Sequence, residues 1–160
     1  MLMVMNSVQF IADYLVIPIA LVGLVVLVMV PKNQRHQVWG RAVLAGFVAL
    51  LFAKIISLLC QGERPFEVLG VAPGAAFLPN PGFPSDHALL VFTVAFVVWA
   101  TTKHMVLAGV LLCAAILVSV GRVLALVHTP ADVVGGFLCA VLAAIAVYGK
   151  QFFDRARQTW

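Results

Sequence analysis

Charge is what this chain has least of. Asp, Glu, Lys and Arg together make up 10% of its 160 residues, against about 25% in soluble domains. Hydrophobic residues reach 64% and the mean hydropathy is +1.11, so there is too little polar surface to clothe a globule in water. A soluble domain is excluded, and so is a disordered chain, whose composition runs the opposite way. Metal-ligand spacing is missing as well. Cys60, Cys113 and Cys139 stand far apart in apolar runs with no CxxC pattern, and they read as small hydrophobes of a helical core. Residues Met1 to Gln9 carry no cation, so no signal peptide is expected and the first apolar run reads as a retained membrane helix. The net charge of +4 would suggest nucleic acid in a soluble protein. Here the placement of the basic residues accounts for it, and nucleic acid is not an expected partner.

Long apolar runs are what the chain has instead. A hydrocarbon core about 30 Å thick takes roughly 20 apolar residues per helix. Runs of that kind cover about 10–30, 38–59, 85–103, 105–126 and 130–153, the third barely long enough. The expected fold is all-α: one integral membrane domain over residues 1–160, with about five transmembrane helices and no internal repeat. Lys32, Arg35, Arg41, Lys103, Lys150, Arg155 and Arg157 fall on one side, seven of the ten basic residues. The positive-inside rule makes that side cytoplasmic, with the N-terminus outside and the C-terminus inside. Trp39, Trp99 and Tyr148 fall near the same boundary, where aromatic belts lie.

The other cations, Lys54, Arg64 and Arg122, fall on the opposite side with Ser85, Asp86, His87, His128 and Asp132. Ionisable groups in or at the edge of a membrane are costly and mark function by default; salt bridges that pin helix ends are the structural alternative. In Pro84-Ser85-Asp86-His87, Ser85 fits a helix N-cap. The same geometry presents free N–H groups to a phosphate, so cap and anion site are compatible. In Gly121-Arg122-x5-His128-x3-Asp132, the stretch Thr129-Pro130-Ala131-Asp132 fits a capping box with Pro at N1, which leaves His128 a loop residue. Alternatively Asp132 holds one ring nitrogen of His128 and frees the other for attack. Arg64-Pro65 closes the second run, where a guanidinium can clamp phosphate in two places; alone, it would read as an ordinary loop residue. Glu63 and Glu67 either tune Arg64 or are simple loop charges, and His36 and His104 read as solvated loop residues. Segment 62–84 holds Pro73, Pro79 and Pro81 among Val68, Leu69, Val71, Phe77 and Leu78. That is too apolar for a water-exposed loop, and an interfacial lid over the site is expected.

Together, Arg64-Pro65, Pro84-Ser85-Asp86-His87 and Arg122-x5-His128-x3-Asp132 resemble the three signature motifs of the type 2 phosphatidic acid phosphatase superfamily, in order, spacing and helical membrane context. The resemblance covers about residues 54–132. It implies that His128 is the nucleophile that becomes a phosphohistidine, Asp132 its partner and His87 the general acid. It also implies that Lys54, Arg64, Ser85, Asp86 and Arg122 form the phosphate site, with no metal or other cofactor. The motifs depart from the family at three points. The expected lysine, seven residues before the arginine, is Ser57 here, and Lys54 lies about one helical turn earlier. The third motif opens Gly121-Arg122 where Ser-Arg is usual, so a hydroxyl contact is lost. Asp86 replaces a glycine, which resembles the bacitracin-resistance type of undecaprenyl pyrophosphate phosphatase. Members often have six spans, so this chain would be one N-terminal helix short.

The implied protein is a lipid phosphatase of the bacterial cytoplasmic membrane with an outward-facing site. Its partners are the bilayer and a lipid phosphate, and undecaprenyl pyrophosphate is the leading substrate. Phosphatidylglycerophosphate, phosphatidic acid or a lipid A phosphate are the alternatives, and nothing in the sequence fixes an oligomeric state. From a different class, His87 and His128 would be axial ligands of a haem in a non-enzymatic membrane protein. That reading needs the ligands facing across a bundle, away from three competing cations.

Overall fold

A computed structural model describes residues 2–60, 62–102 and 104–158, with side chains between residues 7 and 152. Among these every regular element is helical: α1 (Leu2–Asp13), α2 (Val16–Met29), α3 (Lys32–Leu59), α4 (Pro65–Leu69), α5 (Asp86–Thr101), α6 (Met105–Leu124) and α7 (Pro130–Gln158). Four stretches are long and apolar enough to cross a membrane: Ser7–Met29, Lys32–Leu59, Met105–Leu124 and Pro130–Phe152. The remaining expected span, α5, is apolar but only 16 residues long, about 24 Å at helical rise. It is bounded by Ser85, which caps it at one end, and by Thr102, whose backbone turns extended at the other.

The first expected span is divided. Pro18 has no N–H and its ring crowds the carbonyl four residues back, that of Tyr14. The Ile17 N–H donates to Tyr14 O at 3.1 Å instead, and the helix breaks at Tyr14–Leu15. The break sends α1 against α6 while α2 packs on α5.

Helix α5 is the hub, packed chiefly on α7 and α6. Ala88, Val91, Ala95 and Val98 are fully buried and recur at three- and four-residue spacing, one stripe of the helix. Small residues face them, among them Ala115, Cys139, Ala140 and Ala143. That suits packing in lipid, where close approach rather than water expulsion holds helices together. Large apolar side chains such as Phe47, Leu58, Val110 and Ile145 point outward, toward where hydrocarbon would lie.

Three glycines mark close approaches between elements. A Cβ on Gly136 would lie 2.7 Å from Ser85 O, and one on Gly135 would lie 2.6 Å from the Phe83 ring. The chain before α5 therefore rests directly on α7. On the other flank a Cβ on Gly121 would lie 3.2 Å from Ala12 N, so α1 crosses α6 at its narrowest point.

At the opposite end of the bundle Arg35 Nη2 donates to Val28 O (2.9 Å) and Trp39 Nε1 to Leu27 O (3.0 Å), tying α3 to the end of α2. Lys32, His36, His104 and Lys150 are exposed there; Lys103 and the side chains of Arg155 and Arg157 lie outside the described residues. Two expectations need correcting. Tyr148 is 2% exposed, packed with Ala45, Val97 and Ala100 rather than in a belt, because it points into the α3–α5–α7 junction. Of the cysteines only Cys139 is in the core; Cys60 ends α3 and Cys113 lies on an outer face of α6, both exposed.

Candidate active site

The site is built at the end of the bundle where α1, α3 and α6 finish and α5 and α7 begin. Its floor is the start of α7. The Asp132 N–H donates to Thr129 Oγ1 (3.2 Å) and Asp132 Oδ2 accepts from the Thr129 N–H (2.7 Å), the capping box expected from Thr129-Pro130-Ala131-Asp132. The same Oδ2 lies 3.5 Å from His128 Nδ1. One carboxylate thus forms the cap and also faces His128, so the two sequence readings are compatible. The contact is too long to count as a formed hydrogen bond. His128 itself is 4% exposed.

The Ser85 N–H donates to Asp132 O (2.9 Å), which joins the second motif to the third. Ser85 is fully buried and its Oγ accepts from the Ala88 N–H at 3.5 Å. The next residues open α5: Asp86 is exposed and His87 half-buried. Around His87 the charged and titratable neighbours are Arg122, Asp13, His128 and Asp86.

Segment 62–84 docks onto the turn after α6. There Leu126 takes a left-handed φ of 59°, and its carbonyl accepts from the Phe66 N–H (3.0 Å) while Ala125 O accepts from the Gly74 N–H (2.9 Å). Phe66 and Ala75 are buried against Ala12, Ala125 and Val127, and Val68, Leu69 and Leu78 face outward. Arg64 fastens this segment from within. Its Nη1 donates to Val127 O (2.7 Å), and its Nη2 reaches Leu78 O (3.1 Å) and Asn80 Oδ1 (2.8 Å). The guanidinium carbon sits 5.2 Å from the Phe77 ring centre. Several donors expected to clamp phosphate therefore hold backbone carbonyls. Glu67 settles its own role: its carboxylate accepts from the Arg64 backbone N–H (3.0 Å) and caps α4. Glu63 is an exposed loop charge.

Arg122 is 1% exposed and its Nη1 meets Asp13 Oδ1 at 2.9 Å. Asp13 is the site residue that sequence reasoning passed over. A single carboxylate inside an apolar run was the available signal, since such a group needs a partner. Lys54 and Asp86 stand slightly apart. They line a pocket of about 130 Å³ with Ser57, Asn80 and Pro84 that the two histidines do not line, and Asn80 Nδ2 donates to Asp86 Oδ2 (3.2 Å). Six predicted residues (Arg64, Ser85, His87, Arg122, His128 and Asp132) converge on one end of the bundle, with Lys54 and Asp86 in the adjoining pocket. His87 opens α5 and His128 precedes α7, with Arg122 among the charged neighbours of His87, the kind of competing cation that the haem reading had to avoid.

Residues 38–156 match the model of the PAP2 superfamily. The chain belongs to that superfamily. It is 34% identical over 144 residues to the bacitracin transport permease protein BcrC of Bacillus licheniformis, covering 88% of this chain and 68% of the relative. With an undecaprenyl-diphosphatase of Sulfolobus acidocaldarius it shares 31% over 130 residues, 79% of this chain and 58% of the relative. With the YbjG protein of Escherichia coli it shares 31% over 164 residues, 94% of this chain and 78% of the relative. No solved structure matches the chain. As a PAP2 chain it departs from the usual Ser-Arg opening of the third motif. The residue before Arg122 is where α1 crosses α6, and a Cβ there would lie 3.2 Å from Ala12 N, so a side chain would require α1 to give by a few tenths of an ångström.

Proposed function

We propose that this PAP2 protein is a membrane lipid phosphatase whose leading substrate is undecaprenyl pyrophosphate, cleaved to undecaprenyl phosphate and inorganic phosphate. One observation carries the reading: a buried histidine, His128, turns Nδ1 toward a carboxylate and lies near two buried arginines. With Nδ1 facing Asp132, Nε2 is left to attack the terminal phosphorus. The P–O bond to the lipid phosphate breaks as the P–N bond forms, and His87 gives its proton to the departing oxygen, a transfer that matters most where that oxygen is basic. Water, deprotonated by His87, then cleaves the P–N bond and releases phosphate. Arg122 and Arg64 neutralise the transferred oxygens, the main service a protein renders in phosphoryl transfer. Because the histidines must hold opposite protonation states, activity should follow a bell-shaped pH profile.

The name of the archaeal relative and the Asp86 variant of the second motif favour a prenyl pyrophosphate. The first relative's name speaks of transport, but a buried His–Asp pair beside two arginines suits hydrolysis and has no evident use in a permeation path. Phosphatidylglycerophosphate, phosphatidic acid and a lipid A phosphate share the chemistry. Lys32, Arg35, Arg41 and Lys150 at the end away from the site favour placing that end in the cytoplasm, with the site outward and segment 62–84 as its interfacial lid. A cysteine introduced near Gly74 should then label with an impermeant reagent in intact cells, and one near Arg157 should not.

The deciding experiment is phosphate release in detergent from a panel of these lipids, with EDTA present. We expect fastest release from undecaprenyl pyrophosphate, no loss with EDTA, and labelled phosphate trapped on His128. Hydrolysis of none of the panel removes the proposal. Loss on chelation restored by Mg²⁺ transfers the charge stabilisation to a metal.

A further inference from the structure

We infer that Asp13 is a positioning residue of this site: it holds Arg122 and the loop over it in one arrangement, so that α1 completes a centre otherwise built from the motifs. The inference rests on the phosphatase reading above. Asp13 lies outside residues 38–156, the part that matches the family model, and none of the three motifs contains it.

Three observations converge. First, Asp13 Oδ1 meets Arg122 Nη1 at 2.9 Å, with the two side chains 11% and 1% exposed. A guanidinium so buried needs a fixed counter-charge, and Nη1 is the only Arg122 nitrogen given a protein partner among the described residues, its Nε being buried without one. Second, the same carboxylate accepts from the Ala76 N–H, at 3.2 Å through Oδ1 and 3.0 Å through Oδ2. One side chain thereby ties the phosphate-binding arginine to the segment that covers it. Third, glycine at 121 lets α1 lie close on α6 beside Arg122, since a Cβ there would lie 3.0 Å from Ile11 and 3.2 Å from Ala12 N. The carboxylate of Asp13 thus comes from a neighbouring helix to stand beside the arginine. The break at Tyr14–Leu15 ends α1 just beyond Asp13, and it lets α1 follow α6 rather than α2.

Acting through Arg122, Asp13 bears on the transition state, where the arginine must meet oxygens that gain charge, more than on the first encounter with lipid. Asp13→Asn keeps the shape and an acceptor for Ala76 but removes the counter-charge. Asp13→Glu keeps the charge and moves it by one methylene. Both are purified in detergent, and kcat and KM for undecaprenyl pyrophosphate are measured per folded protein, with the melting temperature alongside. We expect a 10- to 100-fold fall in kcat for Asp13→Asn, less than the loss expected when the arginine itself is removed. KM should stay within threefold, and Asp13→Glu should fall between the variant and wild type. Wild-type kcat in folded Asp13→Asn overturns the inference, as does a change in KM alone or a loss in Asp13→Glu equal to that in Asp13→Asn. Failure of both variants to fold would make Asp13 a folding residue and overturns it too. Wild-type protein that hydrolyses none of the lipid panel is a different failure, that of the phosphatase reading itself.

Discussion

The two ends of the helical bundle hold similar side chains and treat them oppositely. At one end Arg64, Arg122, His128 and Asp132 are between 1% and 8% exposed, and both arginines reach a partner from another element. At the other end Lys32, His36, His104 and Lys150 are exposed, and Arg35 reaches only the carbonyls of the helix before it. Histidine and cation content does not separate a site from a solvated boundary. Burial does, because a charge taken out of water survives only where the fold has placed something to meet it. The converging residues come from five elements and from positions 13 to 132. That is what folding around a reacting group requires and what pinning a helix end does not.

The contrast breaks most visibly at the histidines. On the proposed mechanism His128→Ala should reduce hydrolysis of every lipid to background and abolish labelled phosphoenzyme, since it removes the proposed nucleophile. His87→Ala should depend on the leaving group. A general acid contributes about 10²–10⁴-fold, most where the departing oxygen is strongly basic. Phosphatidic acid hydrolysis should therefore suffer far more than pyrophosphate cleavage, whose leaving group is already a stable anion. Label that depends on His87 rather than His128 would reverse the two roles.

Arg122 and Lys54 give the next contrast, both cations at the same end of the bundle but buried and exposed respectively. Arg122→Ala should cost about 10²–10³-fold or more, as loss of a preorganised group facing developing charge does. Lys54→Ala should cost no more than about fivefold, in the range of an exposed charge. Equal losses would show that the pocket shared by Lys54 and Asp86 takes part in the chemistry.

Smaller effects test the scaffold. Gly136→Ala places a methyl 2.7 Å from Ser85 O, and overpacking of this kind costs about 1–3 kcal/mol. Its melting temperature in detergent should drop and activity should fall with it. Gly109→Ala meets nothing within 4 Å and should be neutral or slightly stabilising. At the far end, His36→Ala and His104→Ala should leave turnover within twofold of wild type. A larger loss there would extend the site beyond the end that this comparison marks out.

How much of this was legible beforehand follows from sequence distance. The capping box at Thr129–Asp132 and the Ser85 cap are written within four residues, because the hydrogen bonds that make them close within one turn. The apolar runs gave the helical class and four of the spans, while Pro18 and the short α5 changed their bounds. What could not be read is what packing decides. Arg122 meets a carboxylate 109 positions away, Arg64 spends donors on carbonyls at 78 and 127, and Gly121 and Gly136 matter only through the backbones that cross them. Tyr148 looked like an interface residue by position and is a core residue by neighbours.

The length of α5 has a consequence for the surrounding lipid. At about 24 Å it falls short of a hydrocarbon layer of about 30 Å, and it is the helix whose first turn carries Asp86 and His87. Either the bilayer dimples by several ångströms around the protein, or water follows the chain down to that turn; mismatch of this size is accommodated at modest cost. On the proposed mechanism, the phosphate would in both cases meet the histidines below the plane of the neighbouring headgroups. Turnover in reconstituted vesicles should accordingly vary with acyl-chain length, rising where the membrane is thin.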